Sequence, residues 1–258
     1  MMSKNKIIHG DCESVIPTLD DNSIDLLITS PPYNVDLGNN KFNKDGYNKH
    51  NDAMDFMEYI LWMQSIFKAL KPKMKEDGRL CINIGDQKNG QIPTHFHVIN
   101  FMIKCGYNPM TTIIWNKKHT SSRSAWGSWM SPSCPSFPTP FEYILIFYNE
   151  IKNKTTRGET DLTKREFIDN SLAIWEISGV KKVKGGHPAA FPLELPTRLI
   201  KQLTWVGDTV LDIFAGSGTT GEACKNLNRN YILIEKDETY IPIIEQRLNK
   251  LTFGDFML

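Results

Sequence analysis

A chain of 258 residues, 40% of them apolar and 23% charged, with a formal net charge of +1, has the length for one sizeable core with elaborated loops. The near-neutral balance excludes a uniformly basic nucleic-acid binder while leaving room for a basic face. No apolar run reaches the length that spans a bilayer, and the start, "MMSKNKIIHGDCE", lacks the apolar core of a secretory leader.

In chain order, seven short apolar runs bounded by turn residues read as strands: "KIIHG", "SIDLLITS", "RLCINIGD", "MTTIIWNK", "EYILIFYN", "DTVLDIFAG" and "NYILIEKD". Helical periodicity predicts helices over 54–70, 94–104, 193–204, 219–227 and 238–251. Strands alternating with helices imply an α/β fold with a doubly wound, mostly parallel sheet, whose ligands sit beyond the carboxyl ends of the strands. We expect one domain over 1–258. Three stretches, 34–52, 117–141 and 150–186, lack regular periodicity, and loops of that length in a compact domain tend to be functional or disordered. The five cysteines are odd in number and form no C-x-x-C pair, which argues against a disulfide framework or a bound metal and for a reducing cytoplasm.

The second strand stops on "ITSPPYN". Pro31 and Pro32 have no N–H to donate, and each forces the residue before it into extended geometry, so Ser30 and Pro31 are held stiffly at a strand end. The plain alternative is an ordinary strand exit. Near the other end of the chain, "TVLDIFAGSGTTGEA" is a strand, a glycine-rich turn and a helix start, with Gly216, Gly218 and Gly221 in G-x-G-x-x-G spacing. Glu235 ends the next strand about 20 residues on, where a ribose-binding acid would lie. Asp212 stands just before the first glycine. A carboxylate there opposes a pyrophosphate at the helix N-terminus and suits an ammonium, which favours S-adenosylmethionine over a dinucleotide; the other reading of Asp212 is a turn or capping acid.

Basic residues cluster in the middle of the chain at Lys117, Lys118 and Arg123, at Lys152, Lys154 and Arg157, at Lys164 and Arg165, and at Lys181, Lys182 and Lys184. Each cluster taken alone reads equally well as solvated surface. In "SSRSAWGSWMSPSCP", Arg123 is placed to contact phosphate and Trp126 or Trp129 to wedge or stack, with packing of the loop as the alternative for each tryptophan.

With "TSPPYN" and "DIFAGSGTT" both present, the chain resembles the exocyclic-amino DNA methyltransferases, in the group whose S/D-P-P-Y motif precedes the cofactor motif. "HGDC", "HPAAFPLELPTRLI" and "NRNYILIEKD" extend the resemblance in order along most of the chain. It implies a seven-stranded methyltransferase sheet, circularly permuted to begin at what is normally its third strand, with target-recognition loops inserted. It further implies that Asp11 and Cys12 meet the adenine of S-adenosylmethionine. Asp212, Phe214, Gly216, Ser217, Gly218, Thr219 and Thr220 would surround the methionine part, with His187, Pro188 and Phe191 closing over it, and Glu235 would hold the ribose. Asp11 also reads as the N-cap of a helix beginning near Glu13, and the two roles are compatible.

Ser30, Pro31, Pro32 and Tyr33 are the implied catalytic residues. An exocyclic amine is a weak nucleophile because its lone pair is delocalised into the ring, and accepting its protons helps to localise that pair. The Ser30 hydroxyl and the Pro31 carbonyl are fixed for this, and Tyr33 would stack on a base flipped out of the duplex. Asn34, Lys117, Lys118, Arg123, Trp126, Trp129, Lys181, Lys182 and Lys184 are the expected DNA contacts, in the recognition region.

Serine before Pro-Pro-Tyr resembles the members that modify N4 of cytosine. A hydroxyl can also accept an amino proton and still donate to the adjacent ring nitrogen. The alternatives are adenine-N6 methylation, an RNA or protein methyltransferase, and an inactive DNA-binding module. Cytosine-C5 chemistry is set aside because Cys134 lies in Ser-Cys-Pro order. Double-stranded DNA is the expected partner, of a monomer or homodimer serving a restriction-modification system with a possible cognate endonuclease, and no membrane is expected.

Overall fold

A strand that reads as an unbroken apolar run must be covered on both faces, and β2 (Ile24–Thr29) is buried at every position. A register shift between Ile24 and Leu26 sends Ile24 and Leu27 into one hydrophobic cluster and Leu26 and Ile28 into another. The first cluster gathers Val15 and Ile16 near α1 (Cys12–Val15), Tyr59, Met63 and Phe67 of α2 (Phe56–Leu70), and Val98 and Phe101 of α3 (Thr94–Lys104). The second gathers Leu195 and Leu199 of α5 (Glu194–Leu203) with Ala223 and Cys224 of α6 (Thr219–Asn226). These positions come from a computed structural model that describes residues 5–34, 54–118, 127–179 and 191–249.

The described strands form one sheet in the order β1-β8-β7-β2-β3-β5-β4-β6. Its members are β1 (Lys6–His9), β2, β3 (Met74–Ile84), β4 (Asn108–Asn116), β5 (Phe141–Tyr148), β6 (Ile174–Glu176), β7 (Thr209–Asp212) and β8 (Asn230–Glu235). All neighbours run parallel except β5, which is antiparallel to both β3 and β4. The seven expected strands are all present, in a mostly parallel sheet. The eighth, β6, and the helix α4 (Lys164–Asn170) lie in a stretch whose sequence has no periodicity. At three residues β6 is too short to show alternation; it is held by Trp175, which is fully buried and donates its ring N–H to the Asn170 carbonyl at 3.3 Å.

Two consequences of this order position the site. Strands β2 and β7 are neighbours, so the Ser-Pro-Pro-Tyr exit and the glycine turn meet at one edge although they lie far apart in sequence. Because β5 runs backwards, its first residues lie beside the last residues of β3, with Tyr143 opposite Ile84. The final helix, α7 (Ile241–Asn249), packs Ile244 and Leu248 under the glycine turn in a third, smaller cluster.

Candidate active site

The glycine turn follows directly from β7. Gly216 and Gly218 take positive φ values of 50° and 80°, the left-handed region glycine enters without penalty. Gly221 serves close packing: a Cβ there would stand 2.6 Å from Leu233 Cδ1, so α6 lies directly on β8. Asp212 is 1% exposed. Its Oδ1 accepts from Thr29 Oγ1 at 2.9 Å and from the Phe214 N–H at 3.1 Å, and its Oδ2 accepts from Thr220 Oγ1 at 2.6 Å. Burial pushes its pKa up to about 6 against these hydrogen bonds. In this structure Asp212 ties β2, the turn and α6 together. Thr220 is spent on Asp212, while Ser217 and Thr219 are approached by the Arg247 guanidinium at 3.4 and 3.3 Å.

Beside the turn, Glu235 accepts from the Gly216 N–H at 2.7 Å and the Asp237 N–H at 2.8 Å, and burial raises its pKa. Asp11 does cap α1, accepting from the Glu13 N–H at 3.0 Å, and it pairs with Lys236 at 2.7 Å. Burial alone would raise the Asp11 pKa, but these partners hold it below the usual value. Cys12 is buried, and burial pushes its thiol up to about 12, which leaves its backbone as the group able to meet a ligand. Trp62 of α2 donates to Glu13 Oε2 at 3.0 Å and sets its ring 5.8 Å from that of Phe214. Carboxylates, a glycine turn and two aromatic rings thus converge at the carboxyl edge of β1, β8 and β7, a set that fits the hydroxyl, amino-acid and ring portions of S-adenosylmethionine. Phe191 packs into the core around α5 with Leu195 and Leu199.

At the other end of this edge, Tyr59 Oη donates to the Pro32 carbonyl at 2.7 Å and Gln87 Nε2 to the Tyr33 carbonyl at 3.0 Å. Among the described residues no donor takes the Pro31 carbonyl. Behind the motif lies a network that sequence reasoning missed. The Tyr33 hydroxyl stands 2.9 Å from Ser30 Oγ and 3.1 Å from Glu142 Oε2. Asn83 Nδ2 reaches Glu142 Oε2 at 2.8 Å, the Tyr33 hydroxyl at 3.0 Å and Ser30 Oγ at 3.5 Å, and Lys117 Nζ bonds Glu142 Oε1. Nearby, His95 Nδ1 lies 2.7 Å from Asp86 Oδ1, and its ring stacks on Tyr143 at 4.0 Å. The only signals for Asn83 and Glu142 are a polar residue near the end of "LCINI" and an acid near the start of "FEYILIFY".

Three of the expected DNA contacts have partners within the protein. Both polar ends of the Asn34 side chain are taken by Met54, with Nδ2 donating to its carbonyl at 2.9 Å and Oδ1 accepting its N–H at 2.8 Å. Lys117 is held by Glu142 and sits 4.8 Å over the Trp115 ring, which joins it to the network behind Tyr33. Lys118 pairs with Glu176 at 2.9 Å, both side chains being about half exposed. Trp129 is 72% exposed, and its neighbour Met130 and, further along, Phe137 are exposed as well; Trp129 stands on a loop closed by the Gly127–Pro135 bridge. Arg123, Trp126, Lys181, Lys182, Lys184, His187 and Pro188 lie outside the described residues, as does most of 34–52.

The DNA methylase model for N6 and N4 enzymes matches residues 24–246, and the chain belongs to this family of exocyclic-amino DNA methyltransferases. Among its relatives are two proteins of Methanocaldococcus jannaschii. The Type II methyltransferase M.MjaVI is 40% identical over 166 residues, covering 64% of this chain and 81% of that protein. The Type II methyltransferase M.MjaI is 33% identical over 281 residues, covering 95% and 91%. The DNA modification methylase TTHA0409 of Thermus thermophilus, in complex with S-adenosyl-L-methionine, superposes with a TM-score of 0.73 at 24% identity, covering 95% of this chain and 93% of that one. The cytosine-N4-specific PvuII DNA methyltransferase superposes with a TM-score of 0.72 at 22% identity, covering 97% and 89%. The cofactor of this enzyme is S-adenosylmethionine.

Proposed function

We propose that the protein methylates N4 of a cytosine flipped out of double-stranded DNA, as the modification enzyme of a restriction-modification system in the cytoplasm. The observation that carries the reading is that Ser30 Oγ and a Pro31 carbonyl claimed by no donor among the described residues stand at the end of β2, whose neighbour β7 leads into the turn held by Asp212. S-adenosylmethionine supplies a methyl group on a cationic sulfur. Ser30 Oγ and the Pro31 carbonyl would accept hydrogen bonds from the two amino protons, which draws the lone pair out of conjugation and aims it at that methyl. The N–C bond forms as the C–S bond breaks, S-adenosylhomocysteine leaves, and one amino proton is lost to solvent. Tyr33, anchored at its hydroxyl and its carbonyl, keeps its ring at the mouth of the site to stack on the extruded base; flipping costs a few kcal/mol and stacking returns about 1–3. Asp11 and Glu235 meet the nucleoside end of the cofactor.

DNA contacts fall to Trp129 and Lys118, and to Arg123, Trp126, Lys181, Lys182 and Lys184 in the recognition segments. Serine at position 30 supports cytosine over adenine. Unmethylated DNA treated with the protein and cofactor, then digested to nucleosides and separated by mass, should contain N4-methyldeoxycytidine. N6-methyldeoxyadenosine as sole product would replace the base assignment and keep the rest.

A further inference from the structure

We propose that Glu142 is a positioning residue that sets the direction of the hydrogen bond between Tyr33 and Ser30, making Ser30 Oγ a proton acceptor toward the substrate amine. The proposal rests on the reading of Ser30 as the residue that faces that amine. A phenol has one proton to give, and among the described residues the Tyr33 hydroxyl has two acceptors in reach, Ser30 Oγ at 2.9 Å and Glu142 Oε2 at 3.1 Å. A carboxylate held by a lysine offers only acceptors, and a hydrogen bond to an ionised partner is roughly twice as strong as one between neutral groups. The phenol proton therefore goes to Glu142. With that proton spent, the 2.9 Å contact between Tyr33 and Ser30 is made by the serine proton, donated to the phenol oxygen. Ser30 Oγ is left with lone pairs and nothing to donate.

The Asn83 amide supports the same order. Its NH2 faces Glu142 Oε2 and the Tyr33 oxygen; the flipped amide would set two oxygens against each other, so this orientation is dictated by chemistry. The cost is visible: Asn83 Oδ1 is buried with no partner among the described residues. The arrangement also removes the donor role expected of the serine. While the network is intact, Ser30 does not report the ring nitrogen beside the amine, and recognition of that nitrogen falls to other groups.

The test uses the full chain, S-adenosylmethionine and unmethylated DNA of mixed sequence, with turnover and cofactor affinity measured separately. Glu142→Gln keeps the shape but supplies a donor. It should lower kcat on the order of 10²-fold with cofactor affinity unchanged. Glu142→Asp is smaller but still only accepts, and it should retain more rate than Glu142→Gln; a merely structural role gives the opposite order. In a Tyr33→Phe background, where no phenol transmits the effect, Glu142→Gln should cost nothing further. Wild-type turnover in Glu142→Gln, a faster Glu142→Gln than Glu142→Asp, or an equal loss in the Tyr33→Phe background would overturn the proposal. A wild-type protein that transfers no methyl to DNA would overturn the underlying function as well.

Discussion

The two ends of the ligand edge are built differently. At the cofactor end each acid takes a backbone N–H two residues on, Asp212 that of Phe214, Glu235 that of Asp237 and Asp11 that of Glu13. Two of them reach further with what is left: Asp212 to the Thr29 and Thr220 hydroxyls and Glu235 to the Gly216 N–H. At the catalytic end the polar groups act on side chains from separate strands, with Tyr33 after β2, Asn83 on β3, Lys117 after β4 and Glu142 on β5. The cofactor end is a shaped backbone that a few carboxylates keep in shape, whereas the catalytic end is an assembled circuit whose parts have no meaning singly.

The largest expected effect breaks the cofactor end. Asp212→Ala leaves two hydroxyls and an N–H without their acceptor and should cost about 2–3 kcal/mol of stability, read as a lowered Tm; an unchanged Tm would contradict the tie we assign to it. Asp212 also gives a signed pH effect. Its pKa stands at about 6 when folded against an ordinary 3.8, so its contribution favours the folded state most below about pH 4 and is lost as the pH rises through about 6. Each unit of elevation is worth about 1.4 kcal/mol. Cofactor-free wild-type protein should therefore gain stability relative to Asp212→Asn when the pH is lowered from about 8 to about 5.

A smaller effect sharpens the same end. Gly221→Ala places a methyl 2.6 Å from Leu233 Cδ1 and should cost about 1–3 kcal/mol, despite alanine being the better helix former. A more stable variant would mean that α6 can lift from β8.

The smallest effect on the fold concerns Trp129, far from both ends in its role. Trp129→Ala should change stability by less than about 0.5 kcal/mol while weakening DNA binding by about 1–3 kcal/mol. Titration of labelled duplex against both proteins reads this directly, and equal affinities would remove Trp129 from the interface.

The same contrast explains what could be read in advance. "TSPPYN" and "DIFAGSGTT" are legible because their geometry is local: proline and glycine dictate the backbone where they stand. The seven main strands are legible because each is a short apolar run bounded by turn residues, and the helices over 54–70 and 94–104 because each buries a periodic face. The bracing role of Asp212 is not legible, because one of its partners, Thr29, lies on another strand 183 residues away. The pairing of Lys117 is not legible either, because a charge is visible in a sequence and its counter-charge, Glu142, is not. The capping box of Thr163 and Glu166 at α4 was present as T-x-x-E and went unread, since the helix it starts is short.

The mutual bonds of Asn34 and Met54 have a practical side. They pin two stems 20 positions apart at the edge of the catalytic motif, so the stretch between them begins and ends at fixed points whatever its content. Closing a longer or shorter stretch over those stems changes the entropy slowly, by about 0.6 kcal/mol per doubling of length. A segment transplanted from a relative between these two residues would arrive already clamped, and Asn34 with Met54 defines where such a graft should be cut.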